Sequence, residues 1–170
     1  YQTITPVMSN EDVVMDAIVK SGGLHLDEIN NEIRPTNLAS VFEKPTEAWE
    51  AFDEAVGKYC NVIDELGYAV GEEDNRKLTM YKCDYKGNKF YLVSYSASGF
   101  GTGVLRVNMY RTKLGAIRGW NSEIDDAVME INDILNSAAL PENVEDELEM
   151  TKSELERHKY SLKEVEQHTY

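Results

Sequence analysis

Between residues 77 and 112 three runs alternate in polarity with period two, and two short turns separate them. The runs cover 77–85, 89–97 and 104–112 and are rich in Tyr, Val, Leu and Phe, residue types that fit a pleated, half-buried surface. Lys86-Gly87-Asn88 supplies a hairpin turn after the first run, and the glycine-rich stretch 98–103 supplies one after the second. An antiparallel three-stranded meander is the economical reading, and what flanks it must cover it.

The flanks have helical periods. Ser9-Asn10-Glu11-Asp12 is a capping-box start, followed by a stripe of Val13, Val14, Ala17 and Ile18 that Ser21-Gly22-Gly23 ends. Leu26, Ile29 and Ile33 predict a short second helix stopped by Pro35, and 36–44 reads as a loop that tucks in Leu38, Val41 and Phe42. Over 46–66, Trp49, Phe52, Val56, Tyr59/Cys60, Ile63 and Leu66 recur at three- and four-residue intervals, with Gly67 placed to end a helix. Asn121-Ser122 predicts the cap of a helix through 136, with Ile124, Ala127/Val128, Ile131 and Ile134/Leu135 on its buried side. Beyond Pro141 a last helix is expected over 143–167, where Leu148, Leu155 and Leu162 are spaced by seven. That spacing could make a short coiled coil and a homodimer, although Thr151 and His158 are poor seam residues.

The expected fold is α+β, in αα-βββ-αα-like order, with one helix layer packed on a three-stranded sheet. Three parts follow: an N-terminal helical segment 1–44, a core domain 45–137 and a C-terminal helix or acidic arm 138–170. An apolar fraction of 42% excludes wholesale disorder, and no apolar run approaches the ~18–20 residues of a membrane span. The start shows no basic stretch leading into an apolar one, while the missing initiator Met leaves an upstream targeting segment open. Cys60 and Cys83 could pair, but reduced, packed thiols are the expectation, and with them a cytoplasmic setting.

Charge is sorted along the chain. Residues 77–120 hold eight Lys/Arg against one Asp/Glu, while 121–141 hold five acids and no base, inside a total of −14. Fields of this kind steer association and choose partners.

The familiar catalytic signatures are absent. The loop Gly99-Phe100-Gly101-Thr102-Gly103 joins two strands, lacks the ending of a phosphate-binding P-loop and reads as a hairpin with Phe100 as a contact residue at its tip. His25, His158 and His168 are scattered, neither Cys lies near a His at ligand spacing, and the acidic pairs lack EF-hand spacing. No metal, cofactor or catalytic residue is therefore expected, and the protein is read as non-enzymatic.

Two surfaces remain as candidates. Lys82, Lys89, Arg106 and Arg111 interleave with rings such as Tyr91, as in single-stranded nucleic-acid platforms, though alternation leaves neither sheet face cleanly basic and aromatic. The α-β-β-β-α order over 46–137 is also that of double-stranded-RNA-binding domains. Their second helix opens with a Lys-Lys cluster, however, and Asn121-Ser-Glu-Ile-Asp-Asp126 has the wrong sign for that route. The acids suit the opposite inference, a carboxylate track that imitates phosphate. In this the chain resembles small phage-borne inhibitors of restriction or CRISPR nucleases, over roughly 46–137, with Gly119-Trp-Asn-Ser-Glu-Ile-Asp-Asp126 as the local echo. The resemblance implies an acidic interaction protein that inhibits a nuclease by occupying its basic groove. Its carriers would be Glu123, Asp125, Asp126, Glu130 and Asp133, with Glu72, Glu73 and Asp74 beside them.

Overall fold

In the computed structural model the described residues are 8–99, 102–137, 139–161 and 163. Helix α1 (Asn10–Ser21) opens on Ser9, whose hydroxyl accepts the Asp12 amide at 3.2 Å, and closes on Gly22 in the left-handed conformation.

Among the described residues the sheet has six strands rather than three. Strands β1 (Gly23–Asp27), β2 (Glu32–Arg34), β3 (Cys60–Tyr68), β4 (Asn75–Tyr85), β5 (Asn88–Gly99) and β6 (Thr102–Tyr110) lie in the order β2-β1-β6-β5-β4-β3. Every neighbouring pair is antiparallel. The meander β4-β5-β6 sits where the alternation places it, and it has gained neighbours on both edges.

Both additions come from segments with a helical period. Leu26 and Ile33 pair across the β1–β2 hairpin, so a spacing that suits two turns of helix also suits two facing strands. Asp27 decides between them: its carboxylate accepts the Ile29 and Asn30 amides, and Asn31 takes the left-handed conformation with φ 50°. The expected helix over 46–66 stops early for a related reason. Helix α3 (Pro45–Tyr59) ends at Cys60, which is already extended at φ −131° and ψ 159°, and the β-branched Val62-Ile63 continue as β3. Cys60 stands directly opposite Cys83 on β4, and the two form a disulfide instead of the expected free thiols.

Helices cover both faces of the sheet, not one. On the first face α1, the short α2 (Thr36–Ala39) and α3 bury Met15, Ile18, Leu38, Phe52 and Val56 against Leu26, Tyr85, Phe90, Leu92 and Val107. On the second, α4 (Lys113–Ser137) and α5 (Glu142–Arg157) bury Ile117, Trp120, Ile124, Ile131, Leu148 and Leu155 against Leu66, Leu78, Met80 and Val93. The run Phe90-Tyr91-Leu92-Val93 shows why: a strand apolar on both sides needs cover on both.

Helix α4 is longer than its expected start at Asn121-Ser122. The stripe runs back through Ile117 and Leu114, and the Thr112 hydroxyl accepts the Gly115 amide at 3.1 Å, so the cap lies one full segment earlier. Helix α5 ends at Arg157, and Leu162 and residues 164–167 of the expected helix lie outside the described residues. Its Leu148 and Leu155 face α4, while Trp120 Nε1 donates to the His158 carbonyl and Asn121 exchanges hydrogen bonds with the Tyr160 backbone.

Candidate functional site

Opposite charges separated in the sequence meet where α4 crosses the sheet. Arg76 is the second residue of β4 and aligns with Ala97 of β5, while Tyr95 aligns with Arg106 of β6. Arg76 donates to Glu130 on α4, to Asp74 just before its own strand and to the Tyr95 hydroxyl. The Arg106 guanidinium lies over the Tyr95 ring, 4.7 Å from its centroid, and donates to Glu123 at 2.7 Å. Tyr95 thus stands between two arginines, each clasped by a carboxylate of the same helix. Charge-assisted forks of this sort are the strong class of polar contact. Glu130 above all, with Asp74, raises the Arg76 pKa further beyond its ordinary range. Burial pushes up the neighbouring phenols of Tyr68, Tyr95 and Tyr110.

This ladder divides the expected acidic track. Glu123 and Glu130 turn inward to arginines, and Asp125 is tied to Lys159 at 2.6 Å. Asp126 and Asp133 point outward, with Met129 (63% exposed) between them. Glu72 and Glu73 are exposed on the loop between β3 and β4, and Asp74 belongs to Arg76. Phe100 lies outside the described residues.

The basic set divides as well. Lys82, Lys89 and Arg111 are exposed near the end of the sheet that carries the β4–β5 turn, where Tyr91 aligns with Lys82 and Tyr110. The Tyr91 ring is half-buried against the α4 core rather than presented as a stacking platform, and Arg106 is held by Glu123 several residues away.

A concavity on the α4–α5 side is one that sequence reasoning missed. It is a groove of about 400 Å³ whose floor includes Ala69, Val70, Ile134, Val144, Leu148 and Met150, with Glu147 and Thr151 at its side. Asp126, Met129, Asp133 and Ile134 line a shallower depression beside it, and Ile134 is common to both. Met150 is 72% exposed. The methionines were invisible as site residues because each reads as an ordinary helical position; only the docking of α5 beside the 69–74 loop puts them at one surface.

A second grouping is also a product of the fold. His25 and Asp27 share one side of β1, and Glu32 pairs with Asp27 across the hairpin, bringing one ligand atom of each within 4.8 Å of the others. The Asn30 side chain, donating to Asp27 Oδ2 at 2.7 Å, leads in holding the Asp27 carboxyl below its usual range. Among the described residues no helix is long and apolar enough to cross a membrane.

Comparison with protein-family models, with curated proteins and with solved structures found no match.

Proposed function

We propose that this protein is a non-enzymatic interaction module that receives a basic, amphipathic segment of a partner protein in the groove between α4, α5 and the 69–74 loop. One observation carries the reading: an apolar groove that includes the exposed Met150 adjoins a depression lined by carboxylates and the exposed Met129. Asp126 and Asp133 line that depression, Glu147 lines the groove itself, and α4 has no Lys or Arg after Arg118. Unbranched thioethers adapt to varied apolar anchors. The acids would select a cationic partner and speed encounter, while the floor supplies affinity. A nuclease with a basic nucleic-acid groove is the sharpest case of such a partner. The engagement would use the groove and the depression beside it, because Glu123 and Glu130 are committed to arginines.

The test is fluorescence anisotropy with a labelled amphipathic Lys/Leu peptide. Binding is expected to weaken by about tenfold or more between about 0.05 and about 0.5 M salt. The pair Asp126→Lys/Asp133→Lys and the single Met150→Asp should each weaken it too, while Glu54→Lys, on α3 across the sheet, should not. A titration with no binding at low salt, or binding indifferent to all these changes, would remove the proposal.

A further inference from the structure

We infer that the β1–β2 hairpin carries a zinc site formed by His25, Asp27 and Glu32. The backbone does most of the assembly. Leu24 and Leu26 turn into the core on one side of β1, so His25 and Asp27 turn to the other. Glu32 faces the same way because it is the direct partner of Asp27. Helix α4 packs on β4, β5 and β6 of that face, and His25 and Glu32 remain partly open to solvent.

The donor set narrows the ion. Magnesium and calcium favour all-oxygen shells, whereas one imidazole with two carboxylates is a nitrogen–oxygen set of the kind zinc accepts. Three protein ligands would leave a fourth tetrahedral position for water. Asp27 is oriented for the task. The Ile29 and Asn30 amides donate to its Oδ1 at 2.9 and 3.2 Å, and the Asn30 side chain donates to Oδ2. Oδ1 is taken up by the two amides, while Oδ2 keeps lone-pair capacity for an ion beyond its one bond to Asn30, and such outer partners fix a ligand's direction.

Two cations stand near. Arg34 Nε donates to Glu32 at 2.7 Å through a largely exposed side chain, the kind of surface pair that water and salt weaken. Arg106 aligns with His25 on the neighbouring strand, but Glu123 and the Tyr95 ring already engage it. Arg34 is therefore the competitor for Glu32, which gives the site a variant that should improve it.

The experiment is calorimetric titration of the full chain with zinc chloride in a large excess of magnesium, which occupies the general acidic surface. One ion per chain is expected. His25→Ala and Glu32→Gln should each weaken binding by at least about tenfold, the lower end of what even an outer-shell partner contributes. Arg34→Ala should strengthen it, and His158→Ala, just past the end of α5, should leave it unchanged. Absence of saturable zinc binding overturns the assignment, as does equal affinity in His25→Ala. If His25→Ala loses its fold by circular dichroism, Arg34→Ala decides: unchanged or weaker binding there overturns the site.

Discussion

Glu130 on α4 grips Arg76 on β4 through two parallel hydrogen bonds, Nη1 to Oε2 at 2.6 Å and Nη2 to Oε1 at 3.0 Å. Asp74 takes Nε and Nη2 from the other side, and Tyr95 takes Nη1, so all five donors of the guanidinium are used. The charge sorting of the chain is thereby partly an internal affair. Arginines on the sheet meet acids on the helix that covers it, and only the carboxylates left over can face a partner.

Removing that guanidinium leaves Asp74 and Glu130 close together with no cation between them. The Arg76 side chain is 13% exposed and that of Glu130 42%, so the loss falls short of a fully buried pair. Arg76→Met should lower stability by about 2–3 kcal/mol, read as a shift in the urea midpoint at constant slope. Arg76→Lys should recover only part of this, because an ammonium cannot make the fork.

The disulfide gives a second prediction. Cys60 and Cys83 are 23 residues apart, and cross-linking a loop of that size restricts the unfolded chain. In the loop-entropy account the contribution is about 3 kcal/mol. Cys60→Ser/Cys83→Ser should therefore unfold at lower urea, and reductant should shift the wild type to a similar midpoint while leaving the double variant unmoved.

Legibility in the sequence followed the local signal. The meander was readable because alternation and turn residues agree over 77–112, and α1 because its cap and stripe agree. Leu26 and Ile33 misled because a seven-residue interval suits a helix and a tight hairpin equally, and the deciding Asx turn at Asp27 is a matter of side-chain direction. Ile63 and Leu66 misled because they prolong a helical interval that Cys60 ends, and only its pairing with Cys83 shows the extended course. The site was harder still. Glu123, Glu130 and the two arginines carry recognisable charges, but which carboxylates remain free depends on how α4 crosses the sheet.

Alkaline pH should weaken the fold through Tyr85. Its ring is 2% exposed, its hydroxyl donates to Asp16 at 2.5 Å, and it meets Tyr59 edge to face at 4.9 Å. Burial first, and the Asp16 carboxylate second, raise its pKa above the ordinary value. A group whose pKa is raised by folding contributes fully below its unfolded value, about 10 for tyrosine, and loses that contribution as pH rises through the folded value. Tyr85→Phe should cost about 1 kcal/mol near neutrality, where the hydrogen bond is intact. Its decline above pH about 10 should be shallower than the wild type's, as urea midpoints at pH about 8 and about 11 would show.

Gly119 sets two effects of opposite sign against each other. Alanine in the middle of a helix is favoured over glycine by up to about 1 kcal/mol. A Cβ at this position of α4, however, would stand 2.5 Å from Cζ of Tyr110 and 2.9 Å from its Cε2. Those atoms belong to one rigid ring packed against the α4 core, so the whole side chain would have to turn to make room. Overpacking of this kind costs about 1–3 kcal/mol and should outweigh the helical gain. Gly119→Ala should therefore lower the melting temperature in the wild-type background. With Tyr110→Ala already in place the clash is gone, and the same substitution should raise it. A loss of equal size in both backgrounds would show that the Tyr110 ring is not what keeps glycine there.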